Sequence, residues 1–291
     1  MLKIDLLNIK MKNPLMLASG VLGLTKESME KIKEAGAIVT KSIGKEERKG
    51  YKNPVFFEME CGILNSIGLA NPGIDNYIKE IRGIKVENLI GSIFGGNAED
   101  FLIVAKKFAK YVKAIEMNIS CPHAKKLGAE FPDEEIKDAV GMVKEVGKPV
   151  FVKISAENSL KRAELAIEGG ADAIVAINSI KAMAINIEVK KPVLGNIFGG
   201  YSGKAIKPIG LRCVYEIAKN FELPVIGVGG ILNARDVIEY MMAGARAVQI
   251  GAGLYYKGEG IFKEICGGLE KWLEENGYEK IEDIVGIAIE K

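Results

Sequence analysis

The strongest constraint on this chain is a pattern that recurs along it: a helical stretch closing on glycine, then a short unbroken run of Val, Ile and Ala. It appears in KIKEAGAIVTKS (31–42), LAIEGGADAIVAINS (165–179) and YMMAGARAVQIGAG (240–253). Glycine reaches the left-handed conformation that closes a helix. A continuous apolar run suits a strand buried on both faces, whereas a half-exposed strand would alternate. Extending the pattern predicts eight strands: PLMLASG (14–20), AIVTKS (37–42), NLIGSIFG (88–95), AIEMNIS (114–120), PVFVKIS (149–155), AIVAINS (173–179), PVIGVGG (224–230) and AVQIGAG (247–253). Amphipathic segments lie between most of them. Asn97 and Asn233 stand where they can cap helices running through AEDFLIVAKKFAKYV and ARDVIEYMMAG, with Asp100 in a favourable first turn. Eight strands alternating with helices over residues 1–291 predict an α/β fold, a (β/α)8 TIM barrel forming a single domain. A doubly wound open sheet is the alternative.

Two intervals between strands, 43–87 and 180–223, are about twice the usual spacing and rich in Gly, Pro and Asn. Both follow strands, so a barrel carries them as long loops, after strands 2 and 6, on its C-terminal face, where active sites are built. Long loops there are more often lids or binding loops than spacers.

Composition removes several chemistries. With 40 basic and 38 acidic residues the chain has a net charge of +2, no reason to expect nucleic acid or an anionic membrane as partner. Four cysteines without a CxxC pair, and a single histidine, His123, argue against a bound metal or iron–sulfur cluster. No apolar run approaches the roughly 20 residues of a membrane helix, and the N-terminus lacks the apolar core of a signal peptide. A cytoplasmic location is expected.

What remains is concentrated at strand ends, where a buried strand has no structural need of polarity: Ser19, Lys41, Ser42, Asn118, Ser120, Cys121, Lys153, Asn178 and Ser179. Glycine loops at 227–231 and 251–253 follow strands 7 and 8, the usual phosphate site of this fold, and Gly229 and Gly230 precede the helix capped by Asn233. Lys41 and Lys153 at the mouth call for a negative partner: a carboxylate, a phosphate, an anionic ring, or a glutamate inside the barrel. Asn65, Asn118 and Asn178 each offer donors and an acceptor, suited to an imide or amide ring. Cys121, followed by proline and near lysines, could act as base or nucleophile. Cys61, Cys213 and Cys266 read as small buried apolar residues.

With these residues in place, the sequence resembles the class 1 dihydroorotate dehydrogenases. The motifs LASG (17–20), TKS (40–42), NSIGLANPG (65–73), MNISCP (117–122), VKIS (152–155), INS (177–179), GGYSGKAIKP (199–208), GVGGI (227–231) and IGAG (250–253) fall in family order across nearly the whole chain. The resemblance implies oxidation of (S)-dihydroorotate to orotate in pyrimidine biosynthesis, on a TIM barrel that holds FMN. It makes Cys121 the base that removes the C5 proton while hydride passes from C6 to flavin N5. It assigns Lys41, Asn65, Ser66, Ile67, Gly68, Leu69, Asn118, Asn178 and Ser179 to the substrate. Ser19, Lys41, Ser42, Asn118, Lys153, Ile177, Gly203, Gly229, Gly230, Gly251 and Ala252 fall to FMN.

A cysteine base resembles the soluble class rather than the quinone-linked membrane class. The stretch EFPDEE (130–135) is similar to the form whose homodimeric core pairs with a subunit carrying FAD and a [2Fe-2S] cluster, in a heterotetramer that reduces NAD. The fumarate-linked homodimer is the alternative. So are a non-redox barrel isomerase or lyase using the glycine loops for phosphate, and a flavin enzyme acting on RNA, which the near-neutral charge disfavours. Two positions depart from the family: His123 and Ser92 stand where it has asparagine.

Overall fold

The computed structural model describes residues 1–120 and 131–290. All eight anticipated strands are present: β1 (Leu15–Leu17), β2 (Ala37–Val39), β3 (Leu89–Ile93), β4 (Ala114–Asn118), β5 (Val150–Ile154), β6 (Ala173–Ala176), β7 (Val225–Val228) and β8 (Ala245–Ile250). They pair in parallel, each with its sequence neighbours, and β8 closes on β1 in a barrel. Every residue of β1 to β7 is buried, as their mainly apolar, non-alternating character requires.

Helices α1 (Lys26–Lys31), α2 (Ile74–Ile81), α3 (Ala98–Phe108), α4 (Asp133–Lys144), α5 (Ser159–Glu168), α6 (Lys207–Asn220) and α7 (Ala234–Met242) each follow a strand, and α8 (Ala252–Lys257) and α9 (Ile261–Glu275) follow β8. Asn97 accepts from the Asp100 amide, and Asn233 and Asp236 form a reciprocal capping box. On α3, Phe101, Val104, Ala105 and Phe108 make the buried stripe of a helix lying on a barrel.

Three local expectations are corrected. The first helix closes at Lys31, five residues before Gly36, and Gly36 is not left-handed; it is glycine because a Cβ there would lie 2.2 Å from the Asn13 carbonyl oxygen. Helix α3 ends at Phe108 rather than reaching Val112. The GAG after β8 is not strand: Gly251 caps α8.

The two long insertions are not independent loops. Strands Phe56–Met59 and Gly62–Asn65 from the first and Ile180–Ala182 and Gly199–Ser202 from the second form one antiparallel sheet, with Asn65 paired to Gly200 and Leu64 to Tyr201.

A buried arginine ties the two sides of the chain that leave β4 and enter α4. Arg162, 3% exposed, donates through Nε to Asp133 (2.9 Å) and through its terminal nitrogens to the carbonyls of Phe131 and Ile119 (the latter 3.5 Å). Burial pushes the Asp133 carboxyl up, but hydrogen bonds from Lys161 and Arg162 outweigh it and hold the group below the usual range. That contribution is present above the ordinary aspartate range and lost as pH falls through the lowered one. Arg162→Met strands these acceptors in the interior. It should cost about 2–4 kcal/mol of stability, read from denaturant unfolding.

Candidate active site

The C-terminal ends of the strands and the inter-insertion sheet enclose a cavity of about 660 Å³. Every described residue singled out from the sequence for substrate or FMN lies on its wall. From β1 and β2 come Ser19, Lys41 and Ser42; from β4, Asn118; from β5, Lys153; from the end of β6, Ile177, Asn178 and Ser179. The first insertion contributes Asn65, Ser66, Ile67, Gly68 and Leu69, and the second contributes Gly203. Gly229 and Gly230 follow β7, and Gly251 and Ala252 follow β8. Cys121 and His123 lie outside the described residues; Ser120, the residue before Cys121, is on the cavity wall.

Part of the polar wall is a continuous hydrogen-bonded run. Ser42 Oγ lies 3.1 Å from Ser19 Oγ and 2.9 Å from Ser92 Oγ, and accepts from Asn118 Nδ2 at 3.2 Å. Ser92 is thus a buried support for Ser42. Asn178 donates to Ser120 Oγ at 2.8 Å and to Asn118 Oδ1 at 3.4 Å, while Ser120 Oγ donates to Asn118 Oδ1 at 3.0 Å. Asn65 donates to the Gly200 carbonyl at 3.2 Å, joining the two insertions. Asn71, from the same NSIGLANPG motif, is structural: its side chain donates to Leu69 and accepts from Gly44 and Gly73.

At one end the backbone turns sharply. Gly229 and Gly230 have φ of +129° and +68°, and the Tyr240 hydroxyl donates to the Gly229 carbonyl at 2.8 Å. Lys207 beside them is bound to Asp236 and Glu239, at 2.8 and 3.0 Å. With the α8 N-terminus, these turns give the wall the backbone amides that suit a phosphate.

Beneath the chamber, inside the barrel, lies a buried polar trio. Lys153 donates to Gln249 Oε1 at 3.1 Å, and Gln249 donates to Glu116 Oε2. The glutamate anticipated as one possible partner of the strand-end lysines is thus present, at 3.8 Å from Lys153. Glu116 and Gln249 lie inside their strands, so polarity at strand ends does not point to them. The available signal is a polar residue inside a mainly apolar strand. Arg48, Tyr51, Phe56, Glu157 and Tyr255 also line the cavity without having been anticipated.

The other cysteines divide. Cys213 is buried, and burial pushes its thiol up; Cys266 is half-buried, its thiol pushed up to about 11 mainly by burial. Cys61, expected to be buried, is exposed, because it sits at the turn between Phe56–Met59 and Gly62–Asn65. Among the described residues no cluster of His, Cys, Asp and Glu could hold a metal, and no helix is long and apolar enough to cross a membrane. In the EFPDEE stretch, Asp133, Glu134 and Glu135 open α4, where negative charge meets the positive end of the helix.

The donor set fits a phosphate-bearing flavin: cations and amide side chains toward a ring, glycine amides toward an anion, and a chamber of ligand size. A family model described as dihydroorotate dehydrogenase matches residues 1–273. The chain is 46% identical over 303 aligned residues to "Dihydroorotate dehydrogenase B (NAD(+)), catalytic subunit" of Methanocaldococcus jannaschii, covering 100% of this chain and 99% of that one. Proteins of the same description from Pyrococcus abyssi (45%, 99% of each chain) and Thermoplasma volcanium (47%, 98% of each chain) are similar throughout.

Proposed function

The chain belongs to the dihydroorotate dehydrogenase family, and from that premise we propose that it oxidises (S)-dihydroorotate to orotate in pyrimidine biosynthesis, as the catalytic subunit of an NAD-linked enzyme. The observation that carries this reading is the meeting of Lys41, Lys153, Asn65, Asn118 and Asn178 with the glycine turns on one cavity.

In this reading the whole chain acts as one FMN-binding domain. Ser19, Ser42, Asn118, Lys153 and Ile177 hold the ring and its side chain, and Gly203, Gly229, Gly230, Gly251 and Ala252 receive the phosphate. Bound FMN would supply the two-electron acceptor for the hydride that leaves C6 of the substrate. Cys121 takes the C5 proton. Lys41 compensates the substrate's negative charge, Asn65 through Leu69 fix the pyrimidine, and Asn178 with Ser179 close on its other edge. The Ser42–Asn118–Asn178 hydrogen bonds set these amides before substrate arrives, which lowers the ordering cost of binding. Electrons leave through a partner subunit carrying FAD and a [2Fe-2S] cluster, built on a homodimer of this chain. The relatives' shared description as catalytic subunits supports a partner.

Anaerobic mixing of the FMN-loaded protein with dihydroorotate tests the reaction: the flavin should bleach and orotate should accumulate in equal amount. No bleaching would reject it. Reoxidation by NAD only with the partner subunit present, and not by fumarate with the chain alone, tests the acceptor.

A further inference from the structure

Lys153, Gln249 and Glu116 come from three different strands of the barrel and are buried together, with Lys153 and Gln249 on the cavity wall and Glu116 fully enclosed beneath. The hydrogen bonds run in one direction, Lys153 to Gln249 to Glu116. The charged ends do not meet. Lys153 Nζ and Glu116 Oε1 are 3.8 Å apart, beyond hydrogen-bond reach, and Glu116 Oε1 has no hydrogen-bond partner among the described residues.

This spacing is not what a buried pair reaches when left to itself. Two opposite charges in a dry interior gain most by closing to contact, roughly 1 Å nearer, where a charge-assisted hydrogen bond would satisfy the carboxylate oxygen. Gln249 bridges the two: its amide oxygen takes one of the three ammonium hydrogens while its amide nitrogen occupies the other carboxylate oxygen. A direct Lys153–Glu116 contact would draw the ammonium down the barrel and away from the chamber.

We propose that Gln249 is a positioning residue that holds the Lys153 ammonium at the cavity, short of full ion pairing with Glu116, so that its charge faces the bound flavin. The inference rests on the reading that this cavity holds FMN against Lys153. An ammonium held there favours the reduced, more negative cofactor over the oxidised one, and a retracted ammonium does so less.

The test measures the FMN reduction potential and dissociation constant of the reconstituted protein for Lys153→Met, Gln249→Met and Glu116→Gln, and for Gln249→Met combined with Glu116→Gln. Lys153→Met should lower the potential and weaken binding. Gln249→Met should move both in the same direction, with about tenfold weaker preference for the reduced cofactor, equivalent to about 30 mV for a two-electron couple. In the Glu116→Gln background Gln249→Met should have no such effect, because the carboxylate that captures the lysine is gone. If Lys153→Met shifts the potential and Gln249→Met does not, or if Gln249→Met acts equally in both backgrounds, the positioning role is wrong. If Lys153→Met itself shifts nothing, the flavin-facing reading of the lysine falls first and the role of Gln249 with it. Should Gln249→Met not fold, Gln249→Asn, whose amide is one methylene shorter, must still lower the potential. A merely structural Gln249 would lower the melting temperature and leave the potential in place.

Discussion

Replacing Cys121 with alanine is expected to leave FMN bound with unchanged affinity and to slow flavin reduction by dihydroorotate about 10²- to 10⁴-fold, the span a positioned general base contributes. Two features of the site support this. Ser120, immediately before Cys121, lies on the cavity wall within the hydrogen-bonded run of Asn118 and Asn178. The described side chains nearest that run, serines and asparagines, hold no proton acceptor of useful strength at neutral pH. Among the described residues the one carboxylate on the cavity wall is Glu157, which is exposed. The decisive comparison is single-turnover flavin bleaching in three variants. Cys121→Ala should be slow. Cys121→Ser should recover with rising pH, since a hydroxyl is a much weaker acid than a thiol and becomes a competent base only in more alkaline solution. Glu157→Gln should bleach at nearly the unaltered rate. A fast Cys121→Ala, or a slow Glu157→Gln, would move the base elsewhere.

The barrel was legible because its signal is local. Each of the eight strands is dominated by apolar residues without the alternation of a half-exposed strand, and a chain cannot leave such a stretch in water. Lys41, Asn118, Lys153 and Asn178 were legible for the converse reason, since polarity at the end of a buried strand has no packing use. The sheet over the mouth was not legible. Its strands are three or four residues of mixed burial, Phe56–Met59 being largely exposed, and Asn65 finds its partner at Gly200, far along the chain. Such strands exist only because the barrel brings the insertions together, so no window of sequence contains the cause. Glu116 and Gln249 were hidden differently. Each is a polar residue inside a mainly apolar strand, and its meaning lies in a partner across the barrel interior. The resemblance to a family supplied roles; the register of β4, β5 and β8 supplied the trio.

The second large effect concerns the turn after β7. Gly230 has φ of +68°, and a Cβ built there would lie 2.7 Å from Lys207 Cβ, 2.9 Å from the Gly203 carbonyl oxygen and 3.0 Å from the Lys207 amide nitrogen. Two of those three atoms are backbone, so the clash cannot be relieved by turning a side chain. Lys207 is itself tethered by Asp236 and Glu239. Gly230→Val therefore forces the turn to move away from Gly203, and a β-branched residue resists the left-handed conformation by about 1–3 kcal/mol. The free protein can escape this strain by shifting the turn. Binding of the phosphate would require the turn back in place, so the strain reappears as lost affinity, about 10- to 100-fold in the FMN dissociation constant. Fluorescence titration of the apoprotein with FMN measures it, with circular dichroism to show that the barrel is intact. Gly260→Ala is the matched control, because that glycine is in the right-handed helical region and a Cβ there meets nothing within 4 Å. If Gly230→Val bound FMN as tightly as Gly260→Ala, the phosphate would have to be held by some other part of the wall, and the role assigned to the glycines after β7 would be lost.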